Sequence, residues 1–362
     1  AYAARNAKGE LAAHSLRLSS DYLILKMHTD EGLVGLGEAS PVFPWPPAEA
    51  LEATIKVNVE SILAGMDPMN VEGVRVLLSK SLRDIPYCAA GILMCTYDLV
   101  GKTLKTPLYQ LLGGCYRERV EVTHDIGTKD PKLMAIEALD LVEKGWRTVK
   151  LKGGLYSPKH DFEAVKTVRE AVGDEVNIRL DPNEAWTAKT AMKMSEKLAR
   201  YDLECLEQPV PSRDIDGLAK IARSVETPVM AHQSLSSSPK ALELIEKEAA
   251  DMFNVCPAWY GLCEAKTIVG IAEAAGIPCC IGSSIDLGIA DACHTHLGAS
   301  SKDVELASDI VGWYHNKDDL ITKELEIKNG CVTVPKGLGL GVELDEKAVA
   351  KYGWREPLLT SG

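Results

Sequence analysis

The sequence lacks the features that mark nucleic-acid-binding and membrane proteins. Its lysines and arginines form no run, and the formal net charge is −12 at pH 7, so a basic surface for nucleic acid or for an anionic membrane is not expected. No apolar stretch is long enough to span a bilayer, and the chain does not start like a secretory leader. We therefore expect a cytoplasmic protein whose partner is a small molecule.

Paired-cysteine motifs are also missing. The chain has 10 cysteines, but none lies in a CxxC motif or in a Cys/His spacing typical of zinc sites. Most fall in apolar segments, including the adjacent Cys279 and Cys280, where a thiol acts as a small buried apolar group. This usage is typical of a reducing compartment.

Length and composition favour one large domain with a smaller one. The chain has 362 residues, of which 46% are hydrophobic and 25% charged.

Apolar and polar residues alternate on both sides of a turn within residues 22–39, which predicts a β-hairpin. Apolar residues three and four apart then predict helices in residues 50–63, 71–82 and 88–104. Together these elements predict an α+β capping domain over residues 1–118.

A proline-rich loop, residues 40–47, follows the hairpin and carries Phe43 and Trp45. Two interpretations are open: the loop covers a ligand as a lid, or its aromatic residues pack on their own domain. Trp45 is therefore a candidate substrate-binding residue.

From residue 119 the pattern changes to short apolar strands that alternate with amphipathic helices. The strands start every 23 to 28 residues, and one period of this kind describes a closed (β/α) TIM barrel better than an open sheet. The predicted strands are residues 120–126, 148–152, 176–181, 203–207, 228–231, 251–256, 278–283 and 304–308. We assign residues 119–320 to the barrel, and we expect residues 321–362, which contain another hairpin, to return to the cap.

Functional residues of such barrels gather at the carboxyl ends of the strands. The polar residues found there are Lys150 and Lys152, Asp181 and Asn183, Glu207, His232 and Gln233, Ser283 and Asp286. Their predicted convergence makes the barrel mouth the candidate site.

Lys150 and Lys152 alternate on one strand, so their ammonium groups share a face. Each raises the cost of charging the other, which favours a neutral amine that can act as a base. Lysines also occur at strand edges, where they discourage aggregation, so the pair alone does not decide the interpretation.

Two acidic residues end the next two strands. Asp181 alone could cap a helix, but Asp181 and Glu207 together would repel each other in a buried mouth unless a divalent cation lay between them. Oxygen ligands favour Mg²⁺ or Mn²⁺. Such an ion would hold a substrate carboxylate and stabilise the enediolate that forms when an amine removes the neighbouring proton.

These motifs resemble the enolase superfamily, in the muconate-lactonizing branch of the mandelate racemase/muconate lactonizing enzyme family. The similarity is carried by residues 29–38 and by the motifs Lys-Leu-Lys at 150–152, Asp-Pro-Asn at 181–183, Leu-Glu-Gln-Pro at 206–209 and Gly-Leu-Gly-Leu-Gly-Val at 337–342. The resemblance implies a capped barrel, Mg²⁺ on Asp181 and Glu207, Lys152 as the acid/base and Lys150 as its electrostatic partner. It also implies abstraction of the proton α to a carboxylate, and a homo-oligomer.

Two positions depart from the family pattern. His232 stands where the family usually has the third metal-binding carboxylate. It either ligates the metal, which would favour Mn²⁺, iron or zinc, or hydrogen-bonds a substrate or a neighbour. Cys256 stands where this branch commonly has a second catalytic lysine, and Ser283 and Ser284 replace the histidine of the mandelate racemase branch.

A base on one face alone favours a syn dehydration, in which Lys152 removes the α-proton of a hydroxy acid and then protonates the departing hydroxide. A racemase, epimerase or cycloisomerase stays open, with His124 or Cys256 as the second acid. So do a degenerate barrel that binds a small acid without turning it over, and a Schiff-base aldolase. The candidate substrate-binding residues are Asn183, Gln233, Ser283, Asp286, Trp45, His124 and Cys256.

Overall fold

The computed structural model describes residues 4–5, 11–12, 22–40, 48–83 and 85–353. Trp45 and most of the proline-rich loop lie outside the described residues. The elements before the barrel are β1 (Ala4–Arg5), β2 (Leu11–Ala12), β3 (Leu23–His28), β4 (Val34–Ala39), α1 (Ala48–Asn58), α2 (Glu60–Leu63), α3 (Val71–Ser81), α4 (Pro86–Thr103) and α5 (Leu108–Leu111).

The predicted hairpin is confirmed: β3 pairs antiparallel with β4, from Leu23 opposite Ala39 to His28 opposite Val34. The hairpin packs on α4, which begins with Pro86 and is buried along most of its length. A Cβ at Gly37 would lie 2.1 Å from the Gly91 carbonyl oxygen of α4. Glycine at position 37 therefore lets the strand approach the helix backbone directly.

The chain enters the barrel through β5 (Arg119–Glu121), and seven strands then form one parallel sheet in chain order. They are β6 (His124–Ile126), β7 (Thr148–Lys152), β8 (Asn177–Asp181), β9 (Cys205–Glu207), β10 (Val229–Ala231), β11 (Met252–Val255) and β12 (Cys279–Ile281). The predicted eighth strand is an extended segment that bridges β12 at Val304 and reaches Val122 through Ser308. This segment closes the sheet, which confirms the barrel.

Helices connect the strands and cover the outside of the barrel. They are α6 (Pro131–Glu143), α7 (Pro158–Val172), α8 (Ala188–Leu198) with the 3₁₀ turn Ala199–Tyr201, α9 (Ile215–Ala222), α10 (Ser238–Glu246), α11 (Pro257–Tyr260), α12 (Leu262–Ala275) and α13 (Gly288–Ser300). Several begin where a side-chain oxygen accepts a hydrogen bond from the first turn: Asp130, Ser157, Thr187, Asp214 and Ser237. Local capping thus sets where these helices start.

The final segment contains α14 (Gly312–His315), β13 (Ile327–Lys328), β14 (Cys331–Thr333) and α15 (Glu346–Tyr352). The β13–β14 hairpin pairs with β5 at the barrel entrance. The segment after it does contact the cap, because Leu340 N donates a hydrogen bond to Asp98 Oδ1 of α4 at 2.8 Å. None of the described helices is both long and apolar enough to cross a membrane.

Candidate active site at the barrel mouth

The two lysines of β7 point into the barrel mouth. Parallel pairing aligns Lys150 with Asp125 of β6, and Lys152 with Asp181 of β8. Residues aligned in this way lie on the same face of a sheet. Lys150 and Lys152 are buried, with 1% and 5% of their surfaces exposed. The fold therefore brings the predicted base and a predicted metal ligand to one end of the barrel.

Lys150 lies among three carboxylates. Its Nζ donates a hydrogen bond to Asp309 Oδ2 at 2.6 Å, and it lies 3.3 Å from Asp125 Oδ1 and 3.4 Å from Glu207 Oε2. Burial alone would lower the pKa of Lys150, but the three carboxylates raise it well above its usual value. The expectation that the neighbouring lysine favours a neutral amine is therefore wrong for Lys150, which is a fixed positive charge.

Lys152 faces two carboxylates. Its Nζ donates a hydrogen bond to Asp181 Oδ2 at 2.7 Å and lies 3.5 Å from Asp125 Oδ2. Burial would raise the pKa of Asp125, but the charges of Lys150 and Lys152 lower it to about 2. Burial also raises the pKa of Asp181, and Lys152 offsets only part of that rise. Asp125 is thus an ionised group that contacts both lysines.

Glu207 is held by its neighbours on the next two strands. Its Oε1 lies 2.7 Å from His232 Nδ1 and accepts a hydrogen bond from Asn254 Nδ2 at 3.0 Å. The His232 ring stacks on Trp259, with ring centroids 4.5 Å apart and planes 5° apart. Burial would raise the pKa of Glu207, but Lys150 and the hydrogen bond with His232 lower it well below its usual value. Glu207 is therefore an ionised carboxylate with a fixed orientation.

The donor groups at the mouth fit a divalent cation. Four carboxylates face only two lysine ammonium groups: Asp125, Asp181, Glu207 and Asp309 against Lys150 and Lys152. Excess negative charge at a buried site is costly, and a hard cation relieves it. Glu207 Oε2 is buried and accepts no hydrogen bond from the described residues. Asp181 and Glu207 are thus suitable ligands for Mg²⁺ or Mn²⁺.

His232 contacts Glu207 through one of its two ring nitrogens. Its Nδ1 is engaged with Glu207 Oε1, so this nitrogen orients a carboxylate. Among the described residues, Asp181, Glu207 and His232 do not form a group whose ligand atoms all lie within 4.8 Å of one another. His232 Nε2 is buried and has no hydrogen-bond partner among the described residues, so the contact with Glu207 leaves this second nitrogen available to a metal ion or a substrate.

Asn183 and Gln233 lie beside Asp181. Asn183 N donates a hydrogen bond to Asp181 Oδ1 at 2.8 Å, and Gln233 Nε2 donates one to Asn183 Oδ1 at 3.3 Å. Asn183 has a φ of 50°, which asparagine adopts more readily than most residues. These amides connect the ends of β8 and β10 at the mouth.

Ser283 and Asp286 follow β12. Ser283 Oγ donates a hydrogen bond to Asp286 Oδ2 at 2.8 Å, and Asp286 is fully buried. A small cavity at the mouth is lined by Ser283 together with Asp125, Asp309 and His315. Ser283 therefore borders the lysine cluster, and Asp286 lies behind it.

His124 points away from the lysines. Its ring contacts those of Trp146, Tyr314 and His315 at centroid distances of 5.4, 5.5 and 4.4 Å. Burial lowers the pKa of His124 to about 3. Its neighbour Asp125 faces the two lysines instead.

Cys256 is fully buried at the end of β11. Its backbone N donates a hydrogen bond to Tyr260 Oη at 2.8 Å. Burial and the charge of Asp286 raise the pKa of the Cys256 thiol well above its usual value. The thiol is thus protonated at neutral pH.

Three residues of the cluster escaped the sequence analysis: Asp125, Asn254 and Asp309. Asp125 lies opposite Lys150 on the neighbouring strand. Once Lys150 is taken as inward-facing, Asp125 is expected to face inward as well. Asp309 directly follows the predicted eighth strand. Asn254 Nδ2 donates hydrogen bonds to Glu207 Oε1 at 3.0 Å and to Asp309 Oδ2 at 2.8 Å, a contact between strands that nothing in its own segment indicates.

Comparisons with known proteins agree with this geometry. Residues 5–113 match the family described as "Mandelate racemase / muconate lactonizing enzyme, N-terminal domain", and residues 133–348 match "Enolase C-terminal domain-like". The sequence is 38% identical to a hydrophobic dipeptide epimerase of Enterococcus faecalis over 80% of this chain and 82% of that protein. It is 32% identical to an N-succinyl-L-Arg/Lys racemase of Bacillus cereus, over 90% of this chain and 88% of that protein.

A solved structure gives the same result for the fold. The dipeptide epimerase from Enterococcus faecalis V583, complexed with Mg and the dipeptide L-Leu-L-Tyr, superposes with a TM-score of 0.84 at 34% identity, covering 89% of this chain and 92% of that one. An epimerase and a racemase do not single out the muconate-lactonizing branch. The chain belongs to the mandelate racemase/muconate lactonizing enzyme family of the enolase superfamily, whose enzymes perform metal-assisted abstraction of a proton α to a carboxylate.

Proposed function

We propose that this enzyme removes the α-proton of a small carboxylic acid with Lys152 and completes the reaction on the same face of the substrate. The observation that carries the proposal is the cluster of Lys150, Lys152, Asp181 and Glu207 at one end of the barrel. The position that could hold a second lysine is Cys256, a buried thiol. Because Lys152 is the base on one face and Cys256 is a thiol, we expect the reaction to take place on the face of Lys152.

Each residue of the cluster has a role in that reaction. Lys150 is held positive by its three carboxylate neighbours and attracts the substrate carboxylate. Lys152, oriented by its hydrogen bond to Asp181, accepts the α-proton in its neutral form. A divalent cation on Asp181 and Glu207 would supply positive charge that stabilises the negative charge developing on the substrate.

The specific reaction we propose is syn dehydration of a β-hydroxy acid. Lys152 removes the α-proton, the C–O bond to the β-hydroxyl breaks, and the ammonium of Lys152 gives the same proton to the departing hydroxide. One acid/base group is sufficient for these steps when both groups leave from its face.

Epimerisation is the second candidate. The relatives that favour it are the dipeptide epimerase and the N-succinyl-L-Arg/Lys racemase. It requires proton delivery to the opposite face, and Cys256 or a water molecule would have to supply that proton.

The test is α-proton exchange in D₂O with Mg²⁺ or Mn²⁺, followed by NMR over a panel of β-hydroxy acids, N-acyl amino acids and dipeptides. We expect turnover of at least one acid, with a loss of roughly 100- to 10,000-fold in Lys152→Ala. Lys220→Ala is the matched control, because Lys220 is an exposed helical lysine. No exchange with either metal would instead support a binding protein, and equal exchange in Lys152→Ala would show that another group is the base. Release of water distinguishes dehydration from epimerisation.

A further inference from the structure

A second cluster of metal-binding side chains lies behind the barrel mouth. Asp286 follows β12, and Asp291 and His294 lie three residues apart on α13, so they share a helix face. His294 Nδ1 lies 3.6 Å from Asp286 Oδ2 and 3.7 Å from Asp291 Oδ1. In the part of the chain that the structure describes, this is the one group of three whose ligand atoms all lie within 4.8 Å of one another.

The histidine of this cluster lacks the partners that a buried histidine needs. His294 is 0% exposed, and neither of its ring nitrogens has a hydrogen-bond partner among the described residues. Buried polar atoms without partners are costly, and a water molecule or an ion commonly satisfies them. Nδ1 is aimed between the two carboxylates, which places an unpartnered donor atom inside the cluster.

The two carboxylates are fixed in place and keep free coordination capacity. Asp286 Oδ2 accepts hydrogen bonds from Ser283 Oγ at 2.8 Å and from Ser284 N at 2.9 Å. Asp291 Oδ2 accepts one from Trp313 N at 3.3 Å. The Oδ1 atoms of both residues are buried and have no partner among the described residues. Preorganised carboxylates of this kind can coordinate an ion without rearranging.

The carboxyl groups of this region have no basic partners. Glu38 of β4 joins it from the cap, and burial and Asp286 raise the pKa of Glu38 to about 8. The same two causes raise the pKa of Asp291 well above its usual value. Within the described ranges, no lysine or arginine forms an ion pair with Glu38, Asp286 or Asp291.

We propose that Asp286, Asp291 and His294 bind a divalent transition-metal ion at a structural site whose residues are separate from Asp181 and Glu207. One imidazole nitrogen and two carboxylate oxygens suit Zn²⁺ or Mn²⁺ better than Mg²⁺. The two measured ligand separations, 3.6 and 3.7 Å, are close to the edge of a tetrahedron, about 3.3 to 3.6 Å for bonds of about 2.0 to 2.2 Å.

An ion here would strengthen the attachment of the cap to the barrel. Glu38 already caps α13 from the hairpin, because its Oε1 accepts a hydrogen bond from Leu287 N at 2.6 Å and its Oε2 accepts one from Ala290 N at 3.1 Å. Neutralising Asp286 and Asp291 removes repulsion between them and Glu38. The ion enters during folding, since the cluster is fully buried.

The experiment counts metal ions per chain. The double variant Asp181→Asn/Glu207→Gln removes the ligands at the mouth. It is expressed with added Zn²⁺ or Mn²⁺, desalted against a weak chelator and assayed by mass spectrometry of the metal. We expect about one ion per chain, and loss of that ion when His294→Leu or Asp291→Asn is added. A Co²⁺-loaded sample should show tetrahedral absorption bands that disappear with the same substitutions.

The proposal is overturned if the double variant holds no ion with either metal, or if it holds one that is retained after His294→Leu and Asp291→Asn. If the double variant does not fold, the same comparison is made in the wild-type background, where Asp291→Asn must lower the metal count by one. The isosteric Asp291→Asn keeps an oxygen that can accept from Trp313 N, and circular dichroism verifies folding. The result is independent of any catalytic activity.

Discussion

His232 Nδ1 lies 2.7 Å from Glu207 Oε1, so a hydrogen bond links residues at the ends of two neighbouring barrel strands. The imidazole occupies a position where the family resemblance implies a carboxylate. As a hydrogen-bond partner of Glu207, it holds this carboxylate in place, and we expect it to do so without coordinating a metal itself. This arrangement predicts which substitutions the site tolerates.

His232→Asn and His232→Leu separate the two roles of this residue. The amide nitrogen of asparagine can take the place of Nδ1, so His232→Asn should keep metal affinity near the wild-type value. His232→Leu should weaken Mn²⁺ or Mg²⁺ binding by about 10- to 100-fold, since Glu207 loses its orienting partner. Calorimetric titration measures both affinities. Equal losses in the two variants would show that His232 ligates through Nε2.

Cys256→Ser and Cys256→Ala test whether the thiol delivers a proton. Burial and Asp286 raise the pKa of this thiol well above its usual value, and we propose that the reaction stays on the face of Lys152. Turnover should therefore fall by less than the roughly 100-fold that a general acid contributes. Cys88→Ala, in the buried helix α4 of the cap, is the control for the loss of a buried thiol. A selective collapse of activity in Cys256→Ala would assign Cys256 to the chemistry.

Arg179→Leu should destabilise the barrel strongly. The guanidinium is fully buried, pairs with Glu204 and donates a hydrogen bond to the Ala307 carbonyl at 2.7 Å. Removing it leaves Glu204 unpaired, so the free energy of unfolding should drop by about 3 to 5 kcal/mol in urea denaturation. Arg179→Leu/Glu204→Leu should recover much of that loss. A double variant as unstable as the single one would contradict the ion-pair explanation.

His296 makes stability depend on pH. Burial lowers the pKa of His296 to about 4, although its Nε2 donates to the Leu340 carbonyl. In the unfolded chain the pKa of this histidine is about 6.5. Between pH 6.5 and 4 the unfolded chain therefore binds a proton at this side chain, whereas the folded protein does not. This group should therefore lower the free energy of unfolding by about 3 kcal/mol as the pH falls through that window.

His296→Gln isolates the contribution of His296, because the glutamine amide can still donate to Leu340. The measurement is the difference in unfolding free energy between wild type and variant at pH 7.5 and at pH 4.5. Acidification should reduce the stability of the wild type more than that of the variant. A pH-independent difference would mean that His296 does not titrate on unfolding.

The sequence predicted the barrel because strand and helix periodicity repeat regularly, and it predicted the mouth because polar residues end successive strands. Asp125 could also have been found: once Lys150 is taken as inward-facing, the alignment of the two strands puts Asp125, and not His124, on the same side. The charge state of Lys150 could not have been predicted from the sequence, because it depends on Glu207 and Asp309, which come from distant segments.

The cluster of Asp286, Asp291 and His294 could also be predicted only in part from the sequence. Asp291 and His294 lie three apart on one helix, which is a signal in the sequence. Asp286 lies in the loop between β12 and α13, and its Oδ2 comes within 3.6 Å of His294 Nδ1. No local pattern states that His294 will be left without a hydrogen-bond partner. Contacts between separate segments decide this site.

The most direct test determines on which face of the substrate the proton is removed and returned. The enzyme is incubated in D₂O with each enantiomer of an α-substituted acid that exchanges but has no β-leaving group, and deuterium and configuration at the α-carbon are read by NMR and chiral chromatography. We predict exchange in one enantiomer only, with retention of configuration, and loss of this exchange in Lys152→Ala. Deuterium incorporation with inversion, or exchange in both enantiomers, would contradict a reaction confined to the face of Lys152.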